Sequence, residues 1–132
     1  MKTNILAIVL CVVFGISGVL FASGVYETID SNGTWAGGTA GFPAVKGSQV
    51  NISINPLTSP VMTITLQKKL PGDSAWGEHV VDTWDLTADS TDLEYVIPNG
   101  GTEPEDCWYR IGCDSVSDYT SGNCSCRIGG GR

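Results

Sequence analysis

Four cysteines, Cys107, Cys113, Cys124 and Cys126, crowd the C-terminal part of this 132-residue chain. Such thiols can form disulfides, hold a metal, or fill a core as small hydrophobes. Only Cys124-x-Cys126 is close in sequence and no C-x-x-C knuckle occurs, so a zinc site is disfavoured. An even count in a small exported domain points instead to disulfides. Cys124 and Cys126 stand two apart on one strand, which spaces their Cα atoms by about 6.5–7 Å, at the limit for a bond. They are not expected to pair with each other. Cys113 lies nearest the loop of an expected terminal hairpin, so its oxidation to Cys124 or Cys126 is the expected link. Cys107 reaches the remaining thiol only if the chain bends.

Other reactive residues are sparse. His79 is the one histidine and follows Glu78 in a predicted strand, so it reads as a solvated side chain. With no second histidine, a Ser–His–Asp set and a zinc hydrolase centre both lack parts. Asp85, Asp89 and Asp92 could ligate calcium, but their spacing departs from the D-x-[DN]-x-[DN]-G loop. Glu103, Glu105 and Asp106 are neighbours in one loop, whereas glycoside hydrolysis needs two carboxylates across a cleft. No cofactor motif occurs, and the chain reads as a non-enzyme. Trp35, Trp76, Trp84 and Trp108 are many for this length; exposed in a row they would stack on a glycan, and buried they are core. Parity puts Trp84 inward with Leu86 and Trp108 outward. Asn32-Gly-Thr34, Asn51-Ile-Ser53 and Asn123-Cys-Ser125 fit the N-glycosylation sequon.

The elements that must position these residues are strands. Val50, Ile52 and Ile54 alternate with polar residues until Asn55-Pro56, and Met62, Ile64 and Leu66 alternate after it. Residues 78–86 read as a strand with imperfect alternation, which implies a bulge or an edge position. Leu93, Tyr95 and Ile97 share a face, as do Cys107, Tyr109, Ile111 and Cys113, and then Cys124, Cys126 and Ile128. Residues 48–132 therefore predict an all-β domain, an antiparallel Ig-like or jelly-roll β-sandwich. Residues 25–47 are Gly-rich and read as an arm or loop; Val25, Tyr26, Trp35 and Phe42 are its contact residues for assembly. Residues 1–24 hold Lys2 and an uncharged apolar run over 5–22, which reads as a signal peptide or a membrane-anchoring helix.

Fourteen acidic and seven basic residues give a net charge of −7 and no basic stripe, which excludes a nucleic-acid partner. Membrane contact is expected only through the N-terminal segment. A pilus subunit would also join an apolar N-terminal helix to a β head. Here no leader-peptidase site precedes the apolar run, and Gly-rich chain follows it.

Residues 61–129 carry Thr65-Leu66-Gln67, Asp73 with Trp76, Tyr109-Arg110-Ile111-Gly112, Asp118-Tyr119-Thr120-Ser121-Gly122 and Arg127-Ile128. This pattern resembles small β-sandwich proteins encoded by tailed bacteriophages. The resemblance implies a non-enzymatic virion structural or decorating protein. The apolar leader departs from that family, and so do cysteines where it places Val-like core residues. Both departures suit a secreted or cell-surface relative. The expected function is a non-catalytic assembly subunit on a virion, fibre or cell surface, acting as a homo-oligomer. The alternative is a small carbohydrate-binding module with a glycan partner.

Overall fold

The computed structural model describes residues 24–130, so the apolar segment 5–22 lies outside the described residues. Among the described residues, eight strands form in chain order: β1 (Val25–Ile29), β2 (Thr34–Ala36), β3 (Phe42–Ala44), β4 (Val50–Lys69), β5 (His79–Leu86), β6 (Leu93–Ile97), β7 (Cys107–Cys113) and β8 (Tyr119–Gly130). A 3₁₀ turn, Val116–Asp118, precedes β8. All pairings are antiparallel. Among the described residues no helix is long and apolar enough to cross a membrane.

The spine is β4, a strand of 20 residues. Along one edge it pairs with β8 from Val50 to Met62, then with β7 from Thr65 to Lys69. Along the other it pairs with β6 from Val50 to Ile54, then with β5 from Met62 to Lys68. The two alternating runs in the sequence are thus one strand, and Asn55-Pro56 does not end it. Proline lacks an N–H, yet Pro56 falls where that edge has no ladder partner between Ile54 and Met62. Register shifts against β8 and a positive φ at Ser59 turn the strand there. The two halves of β4 then feed one core. Val50, Ile52 and Ile54 meet Ile64, Leu66, Ile111 and Ile128, all buried.

Residues 25–47 are not a separate arm. β1 pairs with β8, and β2 and β3 pair with β7. Ile29 and Ala36 are buried, and Phe42 lies in the core, although Tyr26 stays 74% exposed. Runs of three to five residues are too short for a period-two signal, and they form because β7 and β8 would otherwise present bare ladder edges. Trp35 faces Gly112 of β7, and Val25 faces Ile128 of β8, so both belong to the sheet.

The expected terminal hairpin is also absent. β7 and β8 are both partners of β4 and not of each other. The inward parity holds nevertheless: Cys107, Tyr109, Ile111, Cys113, Cys124, Cys126 and Ile128 are all buried. β5 has both features read from its imperfect pattern. It lies at an edge, and its register shifts opposite Leu66 and Gln67.

Candidate functional site

β5 and β6 lie in tandem along one edge of β4. Trp84 stands opposite Ile64 and Tyr95 opposite Ile52, so both aromatics sit on the core side of that edge. They meet at the open side of the fold, with ring centroids 5.2 Å apart and planes at 29°. Trp84 is half-buried and Tyr95 is 37% exposed, so the stack both closes the core and borders solvent.

A groove of about 530 Å³ runs beside Trp84, lined by Thr83, Asp85, Thr87, Asp89, Ser90 and Thr91 among others. Thr63 Oγ1 donates to Asp85 at 2.7 Å and fixes that carboxylate. Ser90 Oγ accepts from Thr87 N–H at 2.8 Å and shapes the turn. A second groove of about 470 Å³ includes Asn51, Ser53, Glu94, Val96 and Arg127. A groove lined by an indole, carboxylates and hydroxyls offers the two kinds of contact a sugar ring makes: stacking on its C–H face and hydrogen bonds to its hydroxyls.

The other tryptophans are committed elsewhere. The Arg110 guanidinium lies 3.9 Å from the Trp35 ring and 4.8 Å from that of Trp76. Its Nε donates to Gln67 Oε1 at 2.8 Å. Trp76 Nε1 donates to Thr39 O at 2.9 Å, and the ring rests on Gly41, where a Cβ would fall 2.7 Å from ring atoms. This cation–π tier covers the outer face of the sheet. Burial lowers the pKa of Arg110, with Asp114 opposing that shift. Trp108 is half-buried on the same outward parity, as its sequence position predicts.

The acids do not assemble as catalytic pairs. Glu103 is buried, whereas Glu105 and Asp106 are exposed, and Asp106 accepts from Lys46 N–H at 2.8 Å. Glu103 accepts from the Tyr109 hydroxyl on one oxygen and from the Lys68 ammonium at 2.9 Å on the other. Reading Glu103, Glu105 and Asp106 only as loop neighbours missed this. The available signal was the inward parity of Tyr109, since a buried phenol needs an acceptor. Asp85 and Asp89 line the groove but do not converge with Asp92 on one point. Among the described residues, the one group of three or more metal-type ligands is Asp73, Glu78 and His79. Asn32 and Asn51 are exposed; Asn123 is half-buried, with Oδ1 enclosed and unpartnered.

All four described thiols are unbonded and buried. Cys124 Sγ lies 3.7 Å from Met62 Sδ and 3.9 Å from Cys126 Sγ. Burial, aided by Glu103, pushes the Cys107 pKa up to about 12; burial, aided by Asp118, pushes Cys113 to about 11. With a raised pKa the folded thiol stays protonated at a pH where the unfolded one ionises, so ionisation there favours unfolding. The stability each thiol contributes is complete below the ordinary thiol range near 9 and is lost as pH rises through the folded values. Reduced protein should therefore lose stability from about pH 9 to pH 11 at about 1.4 kcal/mol per pH unit for each thiol. Urea unfolding at stepped pH measures the slope, and a flat profile would mean that the thiols ionise freely in the fold.

These features define an all-β, antiparallel chain with an aromatic groove along one sheet edge. No family model and no curated protein matches it. It is similar to a carbohydrate-binding module of lichenase 5A from Cellvibrio mixtus, solved with cellotriose. That likeness has 16% identity over 82% of this chain and 88% of that one, with a TM-score of 0.36. It is also similar to the QdtA 3,4-ketoisomerase from Thermoanaerobacterium thermosaccharolyticum, solved with TDP. There the identity is 15% over 84% of this chain and 59% of that one, with a TM-score of 0.35. Likenesses this distant assign neither activity nor ligand.

Proposed function

We propose that this chain is a non-catalytic carbohydrate-binding module, a β-sandwich of Ig-like or jelly-roll type displayed outside the cytosol. The observation that supports the reading is the half-exposed Trp84–Tyr95 stack beside a groove rich in hydroxyl and carboxylate groups. Extracellular placement rests on the apolar run over residues 5–22. In such a compartment the thiols oxidise, with Cys113 joining Cys124 or Cys126 across the core.

Affinity electrophoresis of the full chain in gels containing β-glucan, xylan or polygalacturonate tests the binding. At least one polymer should retard the protein. Trp84→Ala should weaken that retention tenfold or more, about 1.4 kcal/mol. Circular dichroism confirms that the variant folds. No retardation by any polymer, or full retention by a folded Trp84→Ala, would remove this reading.

Assembly on a virion or fibre is the second reading. It is favoured by Val80, Val81 and Val96, exposed on the edge strands β5 and β6, and by the resemblance to phage sandwich proteins. Edge strands with exposed β-branched residues can pair with another chain. Asp82, Asp85 and the bulge on β5 oppose such pairing, which is why the groove reading stands first.

A further inference from the structure

We infer that Asp73, Glu78 and His79 form a binding site for a divalent transition-metal ion, of which Zn(II) is the type. One ligand atom from each of the three lies within 4.8 Å of the other two. Asp73 Oδ2 and His79 Nε2 are 3.2 Å apart. Bonds of about 2.0–2.1 Å to zinc give tetrahedral edges of about 3.3–3.4 Å, so this pair already spans one edge. Glu78 closes the remaining distance by rotating an exposed side chain.

The site sits on the connection between β4 and β5, and that connection is tied down. Leu70 N–H donates to Asp73 Oδ2 at 2.8 Å, and Asp73 N–H returns a bond to Leu70 O at 3.1 Å. Ser74 Oγ donates to Glu78 Oε1 at 3.2 Å. Trp76, between them, is anchored to Thr39 O. His79 opens β5 and stands opposite Lys68 in the ladder. The Lys68 ammonium is engaged by Glu103, and the Lys69 ammonium lies 5.9 Å from the centroid of the Trp76 ring. The Leu70 bond, then burial in opposition, then His79 act on Asp73, and the balance lowers its pKa.

One imidazole nitrogen and two carboxylate oxygens suit a borderline ion such as Zn(II). Calcium and magnesium prefer all-oxygen shells. Three protein ligands leave a position open to water. The simpler reading is a surface Asp–His pair, and it makes a different prediction.

The test uses the full chain without a tag, titrated with ZnCl₂ and separately with MgCl₂. His79 is the only histidine, so its imidazole gives one spin system in a ¹⁵N-edited spectrum. One equivalent of zinc should shift and saturate that signal, and magnesium at the same level should not. Calorimetry should show one site, weakened tenfold or more by His79→Gln and by Asp73→Asn. An unmoved His79 signal would overturn the proposal, including the case where zinc is taken by thiols. So would equal affinity in the His79→Gln variant. Neither outcome bears on glycan retention, which depends on Trp84.

Discussion

Glu103→Ala should lower the unfolding free energy by about 2–4 kcal/mol, the cost of a buried phenol left without its acceptor together with the lost ion pair. Glu103 is 1% exposed and its two oxygens serve different donors, Tyr109 and Lys68. Its backbone is also fixed, with N–H donating to Ser48 O and C=O accepting from Gly47 N–H, both at 2.8 Å. Alanine keeps those backbone bonds and strips both side-chain partners. The Tyr109 hydroxyl is then buried without an acceptor. Lys68, whose side chain is 20% exposed, can turn toward water, so most of the loss arises at the phenol. Glu103→Gln retains an acceptor for Tyr109 and should cost less, about 1–3 kcal/mol. Urea unfolding followed by tryptophan fluorescence measures both. A loss below about 1 kcal/mol for the alanine variant would mean that water replaces the carboxylate.

Gly112→Ala should cost about 3 kcal/mol or more, or prevent folding. A Cβ at Gly112 would fall 2.0 Å from the Thr34 carbonyl oxygen and 2.9 Å from the Trp35 Cα. Both are backbone atoms, so no side-chain rotation relieves the overlap and β2 must lift from β7. Trp35 moves with β2 and leaves the Arg110 guanidinium stacked on one side only. Gly101→Ala is the control, because nothing lies within 4 Å of its Cβ position; it should stay within about 0.5 kcal/mol. A well-folded Gly112→Ala protein with unchanged stability and unchanged Trp35 fluorescence would refute this packing of β2 on β7.

Much of the fold was legible because burial on one face forces period two. Val50–Ile54, Met62–Leu66 and the inward residues of β7 and β8 all follow that rule. What escaped was non-local. β1, β2 and β3 are too short to show a period, and they exist because β7 and β8 need outer partners. The continuity of β4 through Pro56 depends on an unpaired edge, which only the pairing reveals. The site was legible in kind and not in place. Trp84 was expected inward, and it is half-buried because the edge it closes is open. Asp85 and Asp89 look like ordinary turn acids until β5 and β6 are set end to end along β4. Asp73, Glu78 and His79 are close in sequence, but only the connection between β4 and β5 brings their ligand atoms together.

The continuity of β4 also has a mechanical consequence. One covalent strand runs through both halves of the sheet, and every other strand except β1, β2 and β3 is laddered directly to it. A load applied to either half passes along that backbone to the other, with no linker between them to stretch. Shearing β8 from β4 means breaking a ladder that runs from Val50 to Met62, past the turn in the strand. The halves therefore share tension instead of hinging, and the chain resists a pull as one unit.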